Sequence, residues 1–339
     1  MPHKHRKKIA IALQGGGSHG AFTWGILEKL LEEDVLDVRG MCGTSAGAMN
    51  AAITVYGMHK NGNKGAIDLL EQFWKRVSDA SKYSIMQPSW LDNALYPGGM
   101  DFSPGYQFFN MFTNILSPYQ FNPSDVNPLR DILLDLIDFS ESNRSHTKLF
   151  VCATNVKTCK PKVFKSPDIT VDSLMASACL PYLFKAVEID GEAYWDGGYM
   201  GNPPIWPLID GTDTNDILLL KVNPIEIENV PKTVRDIQDR INDISFNSSL
   251  INEMRMIYFK DKILDMGHNL KGKLRKINFH EIAADNVLHN YTMSSKSNTT
   301  WDFLNVLRMK GRECATQWLA EDFENVNLKS SLKIKNMYL

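Results

Sequence analysis

Short apolar runs alternate with amphipathic stretches along the first two thirds of the chain. Lys8–Leu13 and Val35–Cys42 are short and apolar enough to be buried strands, and between them apolar residues recur at helical spacing over residues 20–33. The same patterns predict further strands at Leu149–Ala153, Val163–Lys165, Val187–Ile189 and Ile217–Val222, and helices near residues 66–77, 127–138 and 170–179. Alternating strands and helices indicate an α/β fold built on a largely parallel sheet.

The pattern changes after residue 222. Pro231–Lys262 and Ser297–Glu321 are long amphipathic segments that predict helices, with a strand at Ile277–Ile282 between them. We therefore expect three parts: a basic N-terminal tail (1–7), a main domain (8–222) and a helical C-terminal extension packed on the sheet (223–339).

One stretch of the main domain is unusually aromatic. Between Tyr83 and Phe121, ten of 39 residues are aromatic, against 10% of the whole chain, and prolines and glycines interrupt any helix. Two interpretations stay open. These aromatic residues pack on the core, or they form a lid or insertion whose apolar surface receives an acyl chain.

Composition narrows the class of protein. The chain has 339 residues, 43% of them hydrophobic and 22% charged, which is typical of a globular protein. A formal net charge of -2 argues against nucleic acid as a partner, because phosphate contacts need a basic surface. The basic runs Lys4–Lys8 and Lys271–Lys276 fit solvated faces or peripheral contact with anionic lipid.

The cysteines argue against a disulfide framework and against a zinc site, because they are odd in number and scattered without a C-x-x-C pair. They are Cys42, Cys152, Cys159, Cys179 and Cys314. We expect no metal and no cofactor. The N-terminal sequence lacks the apolar core of a signal peptide, and no stretch approaches the ~20 apolar residues of a transmembrane helix. A cytoplasmic location is the default, with peripheral membrane contact and signal-less export left open; the oligomeric state is not indicated.

A glycine cluster follows the first predicted strand. In "IALQGGGSHGAF", Gly15, Gly17 and Gly20 satisfy the G-x-G-x-x-G pattern of dinucleotide-binding loops. That function also needs an acidic residue at the carboxyl end of the second strand. Asp34 and Asp37 lie at the start of that strand instead, which disfavours a dinucleotide site.

The carboxyl end of the second strand carries a serine. Gly43-Thr44-Ser45-Ala46-Gly47 fits G-x-S-x-G, a sharp strand-to-helix turn that exposes a nucleophilic hydroxyl at the positive end of the helix. The pentapeptide also occurs as an ordinary turn. Its place between an apolar strand and an alanine-rich helix favours a nucleophile.

A nucleophilic serine needs an oxyanion hole and a base. If the first two strands are parallel neighbours, backbone amides of Gly15–Gly17 lie at the same sheet edge as Ser45 and are candidates for the hole. Asp196 in "AYWDGGYMGNPP" is the candidate base, although Asp-Gly-Gly also fits an ordinary turn. A carboxyl group with its usual pKa near 3.9 is a poor base at pH 7, and our hypothesis is that partial burial and a hydrogen bond to the serine make it a better one.

Together with "ASACLPYLF" (176–184), these motifs resemble the patatin-like phospholipase family over residues 8–222. The resemblance implies a three-layer α/β/α sandwich that hydrolyses phospholipid or lysophospholipid carboxylic esters through an acyl-enzyme, without a metal. It implies a Ser45–Asp196 dyad without a catalytic histidine, and an oxyanion hole from the Gly15, Gly16 and Gly17 amides. The supporting motif residues are His19, Gly20, Gly43, Gly47, Gly197 and Gly198.

The chain departs from the family at position 19. The family loop usually carries Arg or Lys just before its last glycine, and this chain has His19. Because histidine titrates near pH 6.5 whereas arginine stays charged, we expect His19 to change how activity depends on pH.

Other functions stay open at this point. A triad of Ser45, Asp196 and a histidine is one, with His268, His280 or His289 as the third member. Polyhydroxyalkanoates and other esters present the same carbonyl group as phospholipids. A lipid-binding protein that keeps the fold without the activity is the remaining alternative.

Overall fold

The computed structural model of the chain describes residues 6–267, 274–289 and 291–339. Its sheet has eight strands, and the predicted strands are all confirmed. The strands are β1 (Lys7–Leu13), β2 (Leu36–Gly43), β3 (Lys148–Asn155), β4 (Pro161–Lys165), β5 (Val187–Ile189), β6 (Glu192–Asp196), β7 (Asp216–Lys221) and β8 (Asn278–Ala283). Only β6 was not predicted by the hydrophobic pattern.

The helices match the predicted amphipathic segments, with several short helices in addition. The predicted helix near 66–77 is the second part of α2, which is interrupted by non-helical backbone at Asn61 and Gly62. The helices are α1 (Gly20–Glu33), α2 (Ala46–Ser81), α3 (Trp90–Leu95), α4 (Pro104–Thr113), α5 (Pro118–Phe121), α6 (Pro128–Leu136), α7 (Phe139–Ser142), α8 (Val171–Ser177), α9 (Trp206–Gly211), α10 (Val234–Asp265), α11 (Asp285–Leu288), α12 (Trp301–Glu321) and α13 (Ile334–Tyr338).

The sheet is mostly parallel, as predicted. Its order is β5-β6-β3-β2-β1-β7-β8, with β4 also paired to β3. Strands β1, β2, β3, β7 and β8 are parallel, whereas β4 and β6 run antiparallel to β3, and β5 pairs antiparallel with β6 at one edge. The carboxyl ends of the central strands therefore share one edge, where ligands bind in open α/β sheets.

Helices cover both faces of the sheet. Ile9, Ile11 and Leu13 of β1 pack into the larger core cluster with residues of α1, α2, α6, α8 and α12. The alternate residues Ala10 and Ala12 pack into the second cluster with α9, α10 and α13. Because successive strand residues point to opposite faces, these two clusters make the fold the three-layer α/β/α sandwich that the resemblance implies.

The segment after residue 222 contributes to every layer. Its strand β8 pairs in parallel with β7 and extends the sheet. Its helix α12 crosses α1 so closely that a Cβ on Gly311 would lie 2.0 Å from the carbonyl oxygen of Phe22. The domain boundary at residue 222 stays a prediction.

Three short helices, α3, α4 and α5, lie in the aromatic stretch. Serine side chains cap two of them: Ser89 accepts from the Asp92 amide and Ser103 from the Tyr106 amide. In the described part of the chain, no helix is long and apolar enough to span a bilayer.

Candidate active site

Ser45 lies in the turn between β2 and α2 in a strained backbone conformation. Its φ of 54° and ψ of -127° are rare for a residue with a side chain, and α2 begins at the next residue. The Ser45 N–H donates to Ser177 Oγ at 2.9 Å, which helps to hold this turn. A Cβ on Gly47 would lie 2.3 Å from the Leu13 carbonyl oxygen, so only glycine allows this approach of α2 to β1. This is the geometry expected of a nucleophile turn.

Asp196 ends β6 and is fully buried. It reaches the serine side of the sheet because Asp196 pairs with Ala153 on β3, and β3 lies directly beside β2. Its Oδ1 accepts the Gly198 N–H at 2.7 Å, whereas its Oδ2 has no hydrogen-bond partner among the described residues. Burial raises the pKa of Asp196 to about 7, opposed by the Gly198 hydrogen bond and by the nearby Ser45 side chain.

The glycines around Asp196 and Ser45 lie where a side chain would not fit. A Cβ on Gly198 would lie 2.2 Å from the Phe246 ring, and one on Gly197 would lie 2.1 Å from the Cys152 carbonyl oxygen. Gly43 is equally crowded, since its Cβ would lie 2.4 Å from the Gly47 carbonyl oxygen. Substitution at any of these positions would displace backbone next to the site.

The glycine loop lies beside the serine turn, as predicted. Leu13 at the end of β1 pairs with Gly43 at the end of β2, and a Cβ on Gly15 would lie 2.7 Å from that of Ser45. The Gly15 N–H donates to Asn202 Oδ1 at 2.7 Å and is therefore already engaged. The Gly16 and Gly17 amides have no hydrogen-bond acceptor within the residues described.

Side chains from distant parts of the sequence hold the loop in place. The Gly15 carbonyl oxygen accepts from Asn223 Nδ2 at 2.7 Å, and Lys296 Nζ donates to the Asn223 Oδ1 at 2.9 Å. The Lys296 carbonyl oxygen approaches Gly17 so closely that a Cβ there would lie 2.4 Å away, and Gly17 has a φ of 59°. Lys296 also forms an ion pair with Asp243 at 3.1 Å.

His19 follows the loop and is buried against the same segment. Its Nε2 lies 2.7 Å from Ser295 Oγ, and this hydroxyl donates to the Thr292 carbonyl oxygen. The Ser295 oxygen therefore accepts from His19, which places the ring proton on Nε2. The His19 Nδ1 is buried without a hydrogen-bond partner in the described structure. Gly20, the last motif glycine, begins α1 with no room for a Cβ beside Ala46 and Trp74.

The expectation that His19 titrates in the working pH range is wrong. Burial, assisted by the nearby charge of Lys296, lowers the pKa of His19 to about 3. His19 is neutral at neutral pH, and the positive charge beside the glycine loop belongs to Lys296 instead.

The described histidines proposed as triad members lie elsewhere. His280 is buried in β8, and its Nε2 lies 3.0 Å from Asp216 Oδ1, at the opposite end of the parallel strands from Ser45. His289 follows α11 and is exposed, lining a cavity of about 820 Å³ together with His19 and Lys296. His268 lies outside the described residues. Neither Ser45 nor Asp196 lines that cavity. It adjoins His19 and Lys296, the residues that hold the glycine loop in place.

Asn202, Asn223, Lys296 and Ser177 were missed by the sequence analysis. Two of them had a local signal, since Asn202 follows Asp196 in "AYWDGGYMGNPP" and Ser177 lies in "ASACLPYLF". Asn223 and Lys296 join the site through folding of the C-terminal segment against the loop, which no short motif records.

Comparison with protein families adds an independent observation to this geometry. The model of the family described as "Patatin-like phospholipase" matches residues 11–209, more than half of the chain. The chain belongs to the patatin-like phospholipase family. The matched region of this patatin-like phospholipase runs from β1 through the serine turn and Asp196 into α9. The family is one of lipid hydrolases.

Solved structures similar to this chain include those of two bacterial proteins. VipD from Legionella pneumophila is 15% identical with a TM-score of 0.44, covering 94% of this chain and 67% of VipD. ExoU in the heterodimeric ExoU–SpcU complex of Pseudomonas aeruginosa is 14% identical with a TM-score of 0.40, covering 96% of this chain. The chain spans about half of ExoU (53%). No curated protein matches the sequence.

Proposed function

We propose that this protein hydrolyses carboxylic esters of phospholipids or lysophospholipids through Ser45 as nucleophile and Asp196 as base. The observation that carries the proposal is the strained Ser45 turn beside a buried carboxyl group with one unpartnered oxygen. Strain of this kind persists where the surrounding structure requires it, and it clusters at functional sites.

Acylation follows from the positions of these groups. Asp196 Oδ2 takes the Ser45 hydroxyl proton while Oγ attacks the ester carbonyl carbon and forms a tetrahedral oxyanion. Collapse of this species breaks the ester C–O bond. Asp196 returns the proton to the leaving alcohol, and the acyl chain stays on Ser45.

Deacylation repeats these steps with water. Asp196 takes a proton from water, which attacks the acyl carbon, and the proton then returns to Ser45 Oγ as the fatty acid leaves. Neither half-reaction consumes a metal or a redox equivalent.

The oxyanion hole in this proposal has two backbone donors, whereas the sequence suggested three. Gly15 donates its N–H to Asn202, so the Gly16 and Gly17 amides are the donors we assign. The positive end of α2 lies behind Ser45 and adds to the stabilisation of the oxyanion.

The raised pKa of Asp196 suits a proton carrier. A group with a pKa of about 7 exchanges a proton at neutral pH in both directions, which the two half-reactions require. A carboxyl group with its usual pKa would accept the serine proton far less readily.

The test combines active-site labelling with product analysis. The wild type should react with a fluorophosphonate probe and release fatty acid from phosphatidylcholine or lysophosphatidylcholine vesicles. We expect Ser45→Ala to abolish labelling, and Asp196→Asn to lower fatty-acid release roughly 10³-fold or more, because members of such a dyad act as a unit. Ser248→Ala, on the exposed face of α10, is the matched serine control and should behave as wild type.

Two outcomes would contradict the proposal in different ways. Labelling that persists in Ser45→Ala excludes Ser45 as the nucleophile. Labelling at Ser45 without fatty-acid release retains the nucleophile and excludes phospholipids, leaving other esters such as polyhydroxyalkanoates.

A further inference from the structure

The segment 83–126 presents an apolar surface to solvent, which we call the aromatic face. Tyr83 is 97% exposed, Trp90 76% and Met111 58%, and Phe108, Ile115 and Tyr119 are exposed beside them. Scattered surface apolar residues are ordinary, but an apolar stretch of this extent usually marks an interaction site.

The aromatic face carries almost no charge. Residues 83–126 contain no Lys, Arg, His or Glu, and only three Asp. Asp92 is buried and accepts from the Ser89 and Phe102 amides, and Asp101 is buried and accepts from Thr292 Oγ1. Asp125 is the one exposed acid of the segment. The face is therefore suited to an uncharged or zwitterionic surface, since attraction to anionic lipid requires Lys or Arg.

Two points of the segment, Met100 and Tyr119, are tied to elements that build the candidate active site. On one side, the Met100 N–H donates to Ser294 Oγ at 2.9 Å, and residues 292–298 also support the glycine loop. On the other side, the Ala186 N–H donates to the Tyr119 hydroxyl at 3.3 Å, directly before β5 and β6 lead to Asp196. The segment that carries the aromatic face is thus tied to the support of the glycine loop and to the strand pair that leads to Asp196.

The basic runs offer no competing cationic surface in the described part of the chain. Lys8 forms an ion pair with Asp213, and Lys276 forms one with Asp265. Lys185 contacts the segment, where its Nζ donates to the Pro123 carbonyl oxygen and lies 5.7 Å from the Tyr119 ring centre. A surface rich in exposed Tyr and Trp resembles the belts that such rings form at membrane–water interfaces.

We propose that the aromatic face docks on the surface of a zwitterionic lipid assembly and so brings Ser45 to an ester held in that surface. This inference rests on the proposed function, because it identifies where the substrate is met. Docking depends on apolar contact and is independent of anionic lipid.

The test measures binding separately from chemistry. In the Ser45→Ala background, partitioning onto phosphatidylcholine vesicles is compared with partitioning onto vesicles that also contain phosphatidylglycerol. We expect binding to both, with little gain from the anionic lipid. Met111→Asp should weaken binding about tenfold or more, since burial of one Met side chain is worth at least that factor. Met309→Asp, on α12 and 55% exposed, is the matched control and should bind as the parent does.

A second pair guards against a folding artefact. Trp90→Ser should weaken binding and reduce the lipid-induced blue shift of tryptophan fluorescence, whereas Trp206→Ser, at a position 46% exposed on α9, should not weaken binding. Unchanged far-ultraviolet circular dichroism and an unchanged Tm identify the variants that remain folded.

The outcomes separate the two proposals. When Ser45 is intact, Met111→Asp should hydrolyse a water-soluble butyrate ester as the wild type does. The same variant should no longer hydrolyse phospholipid in vesicles. Vesicle binding with no hydrolysis of either substrate overturns the proposed function and leaves docking intact. Binding that appears only with phosphatidylglycerol, or that falls equally in Met309→Asp, overturns docking. If the protein self-associates without lipid and Met111→Asp abolishes this association, the aromatic face binds a second copy of the chain. That result would also overturn docking on lipid.

Discussion

Asp196 occupies a position that favours proton transfer and disfavours stability. Its carboxyl group is fully buried with one oxygen unpartnered among the described residues, so ionisation inside the protein is costly. Burial accordingly raises its pKa to about 7. The folded protein holds a proton on this group over a pH range in which the unfolded chain has lost it.

The first prediction concerns pH. If Asp196 is the base, kcat/KM should rise with pH and level off above a limb near pH 7, because only the carboxylate accepts the serine proton. The raised pKa also means that the contribution of this group to stability falls as pH rises from about 4 to about 7. Asp196→Asn should therefore raise Tm by several degrees at pH 8 relative to wild type, and much less at pH 4.

Differential scanning calorimetry at the two pH values checks this, with Asp125→Asn, an exposed acid, as the control. Equal shifts at pH 4 and pH 8 would show that the pKa of Asp196 is the same in the folded and unfolded protein, and therefore that burial does not raise it.

At the scale of residues, the sequence indicated the proposed reacting groups better than the residues that support them. Ser45 and Asp196 were identified because each lies in a short motif with its own glycines. Lys296 and Asn223 were not, because their role depends on how residues far apart in sequence meet at Gly15. The same long-range packing buries His19 and lowers its pKa. The residue type alone did not indicate this burial.

At the scale of elements, the contact between α1 and α12 joins the two ends of the fold. Gly25 and Gly311 let the backbones approach, since a Cβ on Gly25 would lie 1.9 Å from the Arg308 carbonyl oxygen. Around this crossing, the Arg308 guanidinium group pairs with the buried Glu28 and lies 4.3 Å from the Trp24 ring centre.

We expect Arg308→Ala to lower the free energy of unfolding by about 2–3 kcal/mol, because it leaves the Glu28 carboxylate buried with only Arg312 nearby. Urea denaturation measures the change. Arg76→Ala is the matched control, since Arg76 pairs with Asp135 at the surface and should cost within about 0.5 kcal/mol. Equal losses in the two variants would show that the α1–α12 ion pair is no stronger than a surface pair.

Elements were predictable where periodicity was clear. The long helices and the central strands have it. In contrast, β6 was missed because it has only five residues and ends in the Asp-Gly-Gly motif, which looked like a turn. The sequence predicted an alanine-rich helix after Ser45 and a separate helix near 66–77, and both are parts of α2, which non-helical backbone at Asn61 and Gly62 interrupts.

At the scale of the whole molecule, the C-terminal segment completes the sandwich. Strand β8 covers the edge of β7, and α12 covers the apolar side of α1. An uncovered edge strand and an uncovered apolar helix both promote aggregation.

Residues 1–222 alone should therefore be insoluble or lack cooperative unfolding, which expression followed by thermal denaturation tests. Co-expression of 1–222 with 223–339 is the control and should recover a soluble, cooperatively unfolding complex. A stable, cooperative 1–222 fragment would instead establish the boundary at residue 222 as that of an independent domain.

The α/β class was predictable from alternation alone, whereas the part played by the last third of the chain was not. The sequence placed a strand at Ile277–Ile282, but which edge it joins depends on the crossover that precedes it. Pairing partners are set by topology, and topology is not recorded in any local pattern.

The turn at residues 292–298 has a consequence for control of the reaction. It contacts the glycine loop through Ser295 and Lys296, and it contacts the base of the aromatic face through Thr292, Ser294 and Asn298. Movement of this turn at one surface would therefore be felt at the other, and any resulting change in binding affinity would be reciprocal. If lipid docked on the aromatic face displaces the turn, the Gly17 amide beside Lys296 moves with it.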